Sequence, residues 1–150
     1  MQNLITPDRV VELAFCGDER AHRELITVCD VAEAEERYVR PILGDRLYEA
    51  LRGGEYQELL EEYVAPAIAA WCRYVVEPHL AYRCRECGDA SVAHNARLDV
   101  TMRHLSRRAQ TLTRRLSHHL NTHSSEYEEY SPKLNPLNRC FIYGNIVQVY

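Results

Sequence analysis

A mainly helical fold is what this sequence predicts: an all-α, compact bundle of about four to five helices, followed by an extended C-terminal arm that ends in a short β-hairpin. Three features carry that expectation. Leucines recur at helical spacing along one stripe between Leu98 and Leu120, an apolar run extends from Ala67 to Val76, and the composition changes after residue 123. We place the helical domain at residues 1–123 and the arm and hairpin at 124–150. A chain of 150 residues with 46% apolar content holds enough material for one core.

The elements follow in order. Thr6-Pro7-Asp8 is a helix start, with Thr6 as the cap and Pro7 at the tolerant first position, and the helix it opens reaches about Phe15 and stops at Gly17. From Glu24 to Val39, Leu25, Val28, Cys29, Ala32 and Tyr38 keep helical spacing, while Glu33, Glu35, Glu36 and Arg37 read as solvated. Pro41 lacks an N–H and disfavours helix at Arg40, so the chain is expected to stop there. Gly44 and Asp45 restart it, Asp45 as N-cap, with Leu47, Tyr48, Ala50 and Leu51 turned inward and Gly53-Gly54 closing the short helix. A long helical stretch from Glu55 to about Arg85 is expected to be interrupted at Pro66 and Pro78, each proline bending or restarting it, with Ala67–Val76 as the central core helix.

Gly88 to Asn95 reads as a loop. The next helix places Leu98, Met102, Leu105, Ala109, Leu112, Leu116 and Leu120 on one stripe, with Arg103, Arg107 and Arg114 opposite and Arg97, Arg108 and Arg115 on a flank. Asn121 to Asn138, polar and carrying Pro132 and Pro136, reads as an arm with little structure of its own. Cys140–Tyr143 and Ile146–Tyr150, rich in β-branched and aromatic residues around Gly144-Asn145, read as a hairpin. An isolated two-stranded hairpin is marginal in water, so this one is expected to lie against its own helices or to add to a neighbour's sheet, and in the second case Phe141, Tyr143, Ile146 and Val149 make it a candidate partner-docking tail.

Charge is distributed unevenly. Residues 1–66 carry a net charge of −8, residues 67–123 carry +5 and residues 124–150 carry −1. Such a separation suits head-to-tail contact between copies of one protein, and it also occurs in monomers with polar faces. Arginine supplies 17 of the 18 basic residues. An arginine-rich face is able to hold phosphate backbones, but no base-reading motif accompanies it and the whole chain is acidic, so DNA contact is expected only as non-specific contact with passing DNA.

Six cysteines in a chain without an export signal read as reduced, buried thiols, and a cytosolic protein is expected. No apolar run is long enough for a bilayer. Cys84 and Cys87 have the spacing of half a zinc site, for which His79, His94, His104, His118, His119 and His123 are the available complement. No second such pair follows, so helix-end thiols are preferred, and His118, His119 and His123 read as a solvated helix end. No nucleophile–base pair, phosphate-binding glycine loop or helical HExxH appears, and we expect neither enzyme activity, nor a cofactor, nor a small-molecule substrate.

The run Tyr38-Val39-Arg40-Pro41-Ile42-Leu43-Gly44-Asp45-Arg46-Leu47-Tyr48, preceded by the Ile5-Thr6-Pro7 start and followed by an apolar helix with Trp71 and Tyr74, resembles the head-tail connector (adaptor) proteins of tailed bacteriophages, in the form found in phages and prophages of Bacteroides-like bacteria. The resemblance covers roughly the first half of the chain. It implies a helical virion structural protein that forms a ring homo-oligomer, binds portal and tail-completion proteins, and resides in the bacterial host cytoplasm before entering the virion. On that resemblance Pro41, Gly44, Asp45, Leu47 and Tyr48 form the structural motif. Arg103, Arg107, Arg108, Arg114 and Arg115 are candidate subunit or DNA contacts by their charge. The alternative is a small zinc- or nucleic-acid-binding helical module that uses Cys84, Cys87 and the arginine-rich helix.

Overall fold

Three prolines that the sequence reads as helix stops or interruptions lie inside helices. The computed structural model describes residues 3–16, 25–85, 92–143 and 146–149, with side chains over 3–16, 25–81 and 97–139. Helix α1 is Pro7–Ala14, capped by Thr6, whose hydroxyl accepts from the Arg9 N–H at 3.3 Å. Helix α2 spans 28–43. It starts behind a reciprocal Thr27–Asp30 capping box, is α-helical over Val28–Ala34, widens to a π turn over Glu35–Val39 and ends α-helical over Arg40–Leu43. In the π turn the Arg40 N–H reaches back five residues to the Glu35 carbonyl. That wider ring accommodates Pro41, which has no N–H for the carbonyl four residues earlier.

Helix α4, over 57–85, repeats the device. Gln57–Leu59 leads into a π turn over Leu60–Val64, where the Ala65 N–H bonds the Leu60 carbonyl, and Ala65–Arg85 continues past Pro66. Pro78 also sits within this helix, on its exposed side. The expected stop at Pro41 and the interruptions at Pro66 and Pro78 are therefore corrected, since helix continues through each proline. Glu36-Arg37-Tyr38-Val39-Arg40-Pro41 and Glu61-Glu62-Tyr63-Val64-Ala65-Pro66 share the pattern Glu-x-Tyr-Val-x-Pro, so one local sequence yields one backbone solution twice.

The chain turns at Gly44, not at Pro41. With φ 78° and ψ 158°, Gly44 occupies a region that side-chain-bearing residues rarely enter. It is the N-cap of helix α3, Asp45–Arg52. Asp45 is the first helical residue, and its carboxylate accepts from Arg40 Nε at 2.8 Å, so its expected capping role is corrected. Leu47, Tyr48 and Leu51 face the core as expected. At the other end Gly54, φ 91°, makes the left-handed turn, and the Gly54 and Glu55 N–H groups bond the Leu51 and Ala50 carbonyls in a Schellman arrangement.

Helix α4 is central: Ala67, Ile68, Ala69, Trp71, Cys72 and Val76 are buried, and α1, α2 and α5 pack around it. Helix α5 is Val92–Thr122, so the loop expected from Gly88 to Asn95 is helical from Val92 onward; residues 88–91 lie outside the described residues, as does the Gly17 stop. The leucine stripe is graded. Ala109, Leu116 and Leu120 are buried, whereas Leu98, Met102, Leu105 and Leu112 are half-covered.

Two other expectations are corrected. On α2 the buried set is Val31, Ala34, Glu35 and Val39, while Val28 and Cys29 are exposed. The segment after α5 is not an unstructured extension. Tyr127, Tyr130 and Asn135 are buried, and Asn135 Nδ2 donates to Ser117 Oγ and to Tyr130 Oη, both at 2.8 Å, which fastens the segment onto α5. At its end the backbones of Cys140–Tyr143 and Ile146–Val149 pair antiparallel, Cys140 opposite Val149. Gly144, Asn145, Tyr150 and the side chains of Phe141, Tyr143, Ile146 and Val149 lie outside the described residues, and so does the expectation that this tail docks on a partner.

Candidate interaction surfaces

A buried carboxylate organises the joint between α2 and α3. Glu35 is fully buried, because Val31, Glu35 and Ile42 share the inward face of α2. Its Oε1 accepts the Leu4 and Ile5 N–H groups at 2.9 and 3.3 Å, and its Oε2 accepts the Tyr48 hydroxyl at 2.8 Å. One side chain thus ties the N-terminal segment to α2 and α3. Burial raises the Glu35 pKa, opposed by those three donors, and burial together with the Glu35 carboxylate raises that of Tyr48. Arg40 closes the outside of the joint, donating to Glu36 at 2.6 Å and to Asp45 at 2.8 Å, with its guanidinium 5.0 Å from the Tyr48 ring centre. Of the residues singled out by sequence, Pro41, Gly44, Asp45, Leu47 and Tyr48 converge here; Glu35 was missed because it lies in a glutamate-rich stretch.

Arg103, Arg107, Arg108, Arg114 and Arg115 are all exposed on α5. Arg115 donates to Glu62 at 3.2 Å and covers Tyr63 at 4.7 Å, a surface pair of small energetic weight. The structure brings Arg103 and Arg107 together with Val100 and His104 along a shallow groove, and separates them from Arg114. Acidic side chains gather elsewhere. Glu55, Glu58, Glu61, Glu62, Glu126 and Glu128 are exposed around the start of α4 and the segment after α5, where Tyr56, Glu58, Glu126 and Tyr127 line a cleft of 300 Å³. The Tyr63–His119 stack, 4.0 Å between ring centres, fixes the start of α4 beside the end of α5. Arg107 is twelve residues before His119, which places the arginine group about 18 Å along the helix from that acidic end.

His119 is not part of a solvated helix end as expected. Its ring lies between Tyr63 and His123, 4.4 Å from the latter, and its Nε2 is 2.9 Å from Tyr127 Oη. Burial first, then His123, lowers its pKa.

A further groove was not expected from sequence. It measures 480 Å³ and is framed by Tyr38, Pro41 and Ile42 of α2, Trp71 of α4, Gln110 and Arg114 of α5, and Pro136 and Leu137 after it. Tyr38 and Trp71 stack face to face at 3.9 Å, and Trp71 Nε1 donates to Thr113 Oγ1 at 2.8 Å.

Thiol and metal chemistry receives little definition. Cys72 is buried, and burial pushes its thiol up to about 12; Cys16 and Cys29 are exposed, against the expectation of burial. Among the described residues no group of three His, Cys, Asp or Glu side chains is arranged to hold a metal, and the Cys84 and Cys87 side chains lie outside that set. No described helix is long and apolar enough to cross a membrane. Comparison with family models, with characterised proteins and with solved structures finds no match to this chain.

Proposed function

We propose that the chain is a structural subunit of a tailed phage or prophage particle, a head-tail connector that associates with copies of itself and with a portal and tail-completion proteins. The observation that supports this reading most is the separation of charge on one braced helical body: exposed arginines along α5 and exposed carboxylates at its far end. A heterologous contact between such surfaces repeats from copy to copy and closes as a ring when the rotation per subunit allows. Long-range attraction of this kind guides association and weakens with salt. The joint sequence from Tyr38 to Tyr48 supplies the resemblance, and the Glu35 network supplies its rigidity.

In this role the protein works by shape and affinity. Helix α5 and its arginines face neighbouring subunits, the portal or the passing genome, and the C-terminal hairpin adds an apolar element for docking. Co-purification with the portal protein of the same genome, followed by electron microscopy, tests the reading. Ring-shaped particles that contain both proteins are expected. A chain that neither associates with the portal nor enters particles, while remaining folded, contradicts it.

A further inference from the structure

We propose that the Tyr38–Trp71 groove is a binding site for an acidic peptide segment of a partner protein, one that inserts an aliphatic side chain and follows it with carboxylates. The floor and walls are largely apolar: Pro41, Ile42, Pro136, Leu137 and Trp71. The cationic groups stand at the rim. Arg114 has no ion-pair partner among the described residues, and Arg37 reaches Glu33 only at 3.5 Å. An apolar recess bordered by the unpaired Arg114 guanidinium, with Arg37 at the opposite rim, is complementary to a chain that carries an apolar side chain beside carboxylates, because arginine holds carboxylates with paired hydrogen bonds.

The internal contacts narrow the choice of ligand. One face of Tyr38 lies on Trp71, while the Arg37 guanidinium is 5.3 Å from its ring centre. Trp71 meets Tyr38 on its face, and Tyr74 packs against it edge-on at 5.6 Å. Each ring thus has one face covered by the other, and Arg37 stands over Tyr38, an arrangement less suited to base stacking than an open aromatic platform. Thr113 is also committed, accepting from Trp71 Nε1 and donating to the Ala109 carbonyl at 2.9 Å. Gln110 Nε2 donates to Ser106 Oγ at 3.3 Å, which leaves Arg114, with Arg37 at the rim, to meet a peptide carboxylate. The walls come from α2, α4, α5 and the segment after α5, so occupation braces the joint to the rest of the body. This site is independent of contact between copies of the chain, and its failure leaves the assembly reading standing.

Trp71 is the only tryptophan, so its fluorescence reports the groove directly. The full chain is titrated with three synthetic peptides of equal length: a leucine followed by two glutamates, the same peptide with glutamines, and the same with lysines. The glutamate peptide is expected to change Trp71 emission saturably and to bind at least about tenfold tighter than the glutamine peptide, with no response to the lysine peptide. Arg114→Glu and Arg37→Glu, at exposed positions and with circular dichroism unchanged, are each expected to weaken binding about tenfold or more. Equal affinity for the glutamate and glutamine peptides overturns the proposal, as does an unchanged affinity in both variants or the absence of any Trp71 response. A single-stranded oligonucleotide that binds the groove more tightly than the glutamate peptide overturns it too, assigning the groove to nucleic acid.

Discussion

The two π turns share a sequence pattern and a backbone, yet they are centred on opposite chemistry. At the start of the first stands Glu35, fully buried and bonded to three donors; at the start of the second stands Leu60, buried among apolar neighbours. The tyrosine three residues on stacks in both, Tyr38 on Trp71 and Tyr63 on His119. A widened turn thus solves the proline problem in either setting, and the residue at its head decides whether the site is a polar junction or a packed seam. The first turn joins three chain segments through hydrogen bonds. The second joins α4 to α5 through rings.

The largest expected effect lies in removing the polar centre. Glu35→Ala strands the Leu4 and Ile5 N–H groups and the Tyr48 hydroxyl, and at about 1–3 kcal/mol for each buried donor left unpaired, a loss of about 3–5 kcal/mol is expected in urea unfolding. Glu35→Leu, which imports the other turn's residue, is expected to lose a similar amount; a loss below about 1 kcal/mol breaks the comparison. Glu35 also sets a pH dependence. Its raised folded-state pKa means that the folded protein holds a proton the unfolded chain has released, so this group's contribution to stability falls as pH rises from the ordinary carboxylate value through the raised one. Glu35→Gln is expected to remove that slope in a series of melting curves.

Gly44→Ala comes next. A Cβ there meets nothing within 4 Å, so the cost comes from the backbone conformation alone, about 1–3 kcal/mol. Tyr38→Leu and Tyr63→Leu probe the two stacks, and each is expected to cost about 1 kcal/mol beyond lost area. The smallest effect separates the stacks by pH. His119 prefers its neutral form in the fold, so its stabilising contribution is present above its ordinary value of 6.5 and is lost as pH falls through its lowered folded-state pKa. Tyr63→Leu is expected to alter that acidic limb, and Tyr38→Leu to leave it unchanged.

Helical class was legible, because Ala67–Val76 is apolar nearly all round and the stripe from Leu98 to Leu120 keeps its period, which also points the α5 arginines outward. The face of α2 was not. Its buried row runs Val31, Ala34, Glu35, Ile42, and reading Glu35 as solvated moves the apolar row onto Val28 and Cys29 instead. Prolines read as stops or interruptions because composition gives no sign of a hydrogen bond that reaches back five residues; the repeated Glu-x-Tyr-Val-x-Pro is the available signal. The segment after α5 reads as loose by composition, since its anchors, Tyr127, Tyr130 and Asn135, find their partners on α5. For the same reason the groove beside Trp71 was invisible, being assembled from four elements distant in sequence.

Sedimentation velocity of the purified chain at millimolar concentration, in low and in high salt, tests the assembly account most directly. Species heavier than the monomer are expected in low salt, receding in high salt and in the double variant Arg103→Glu, Arg107→Glu. A monomer under every condition, or association indifferent both to salt and to those reversals, contradicts it.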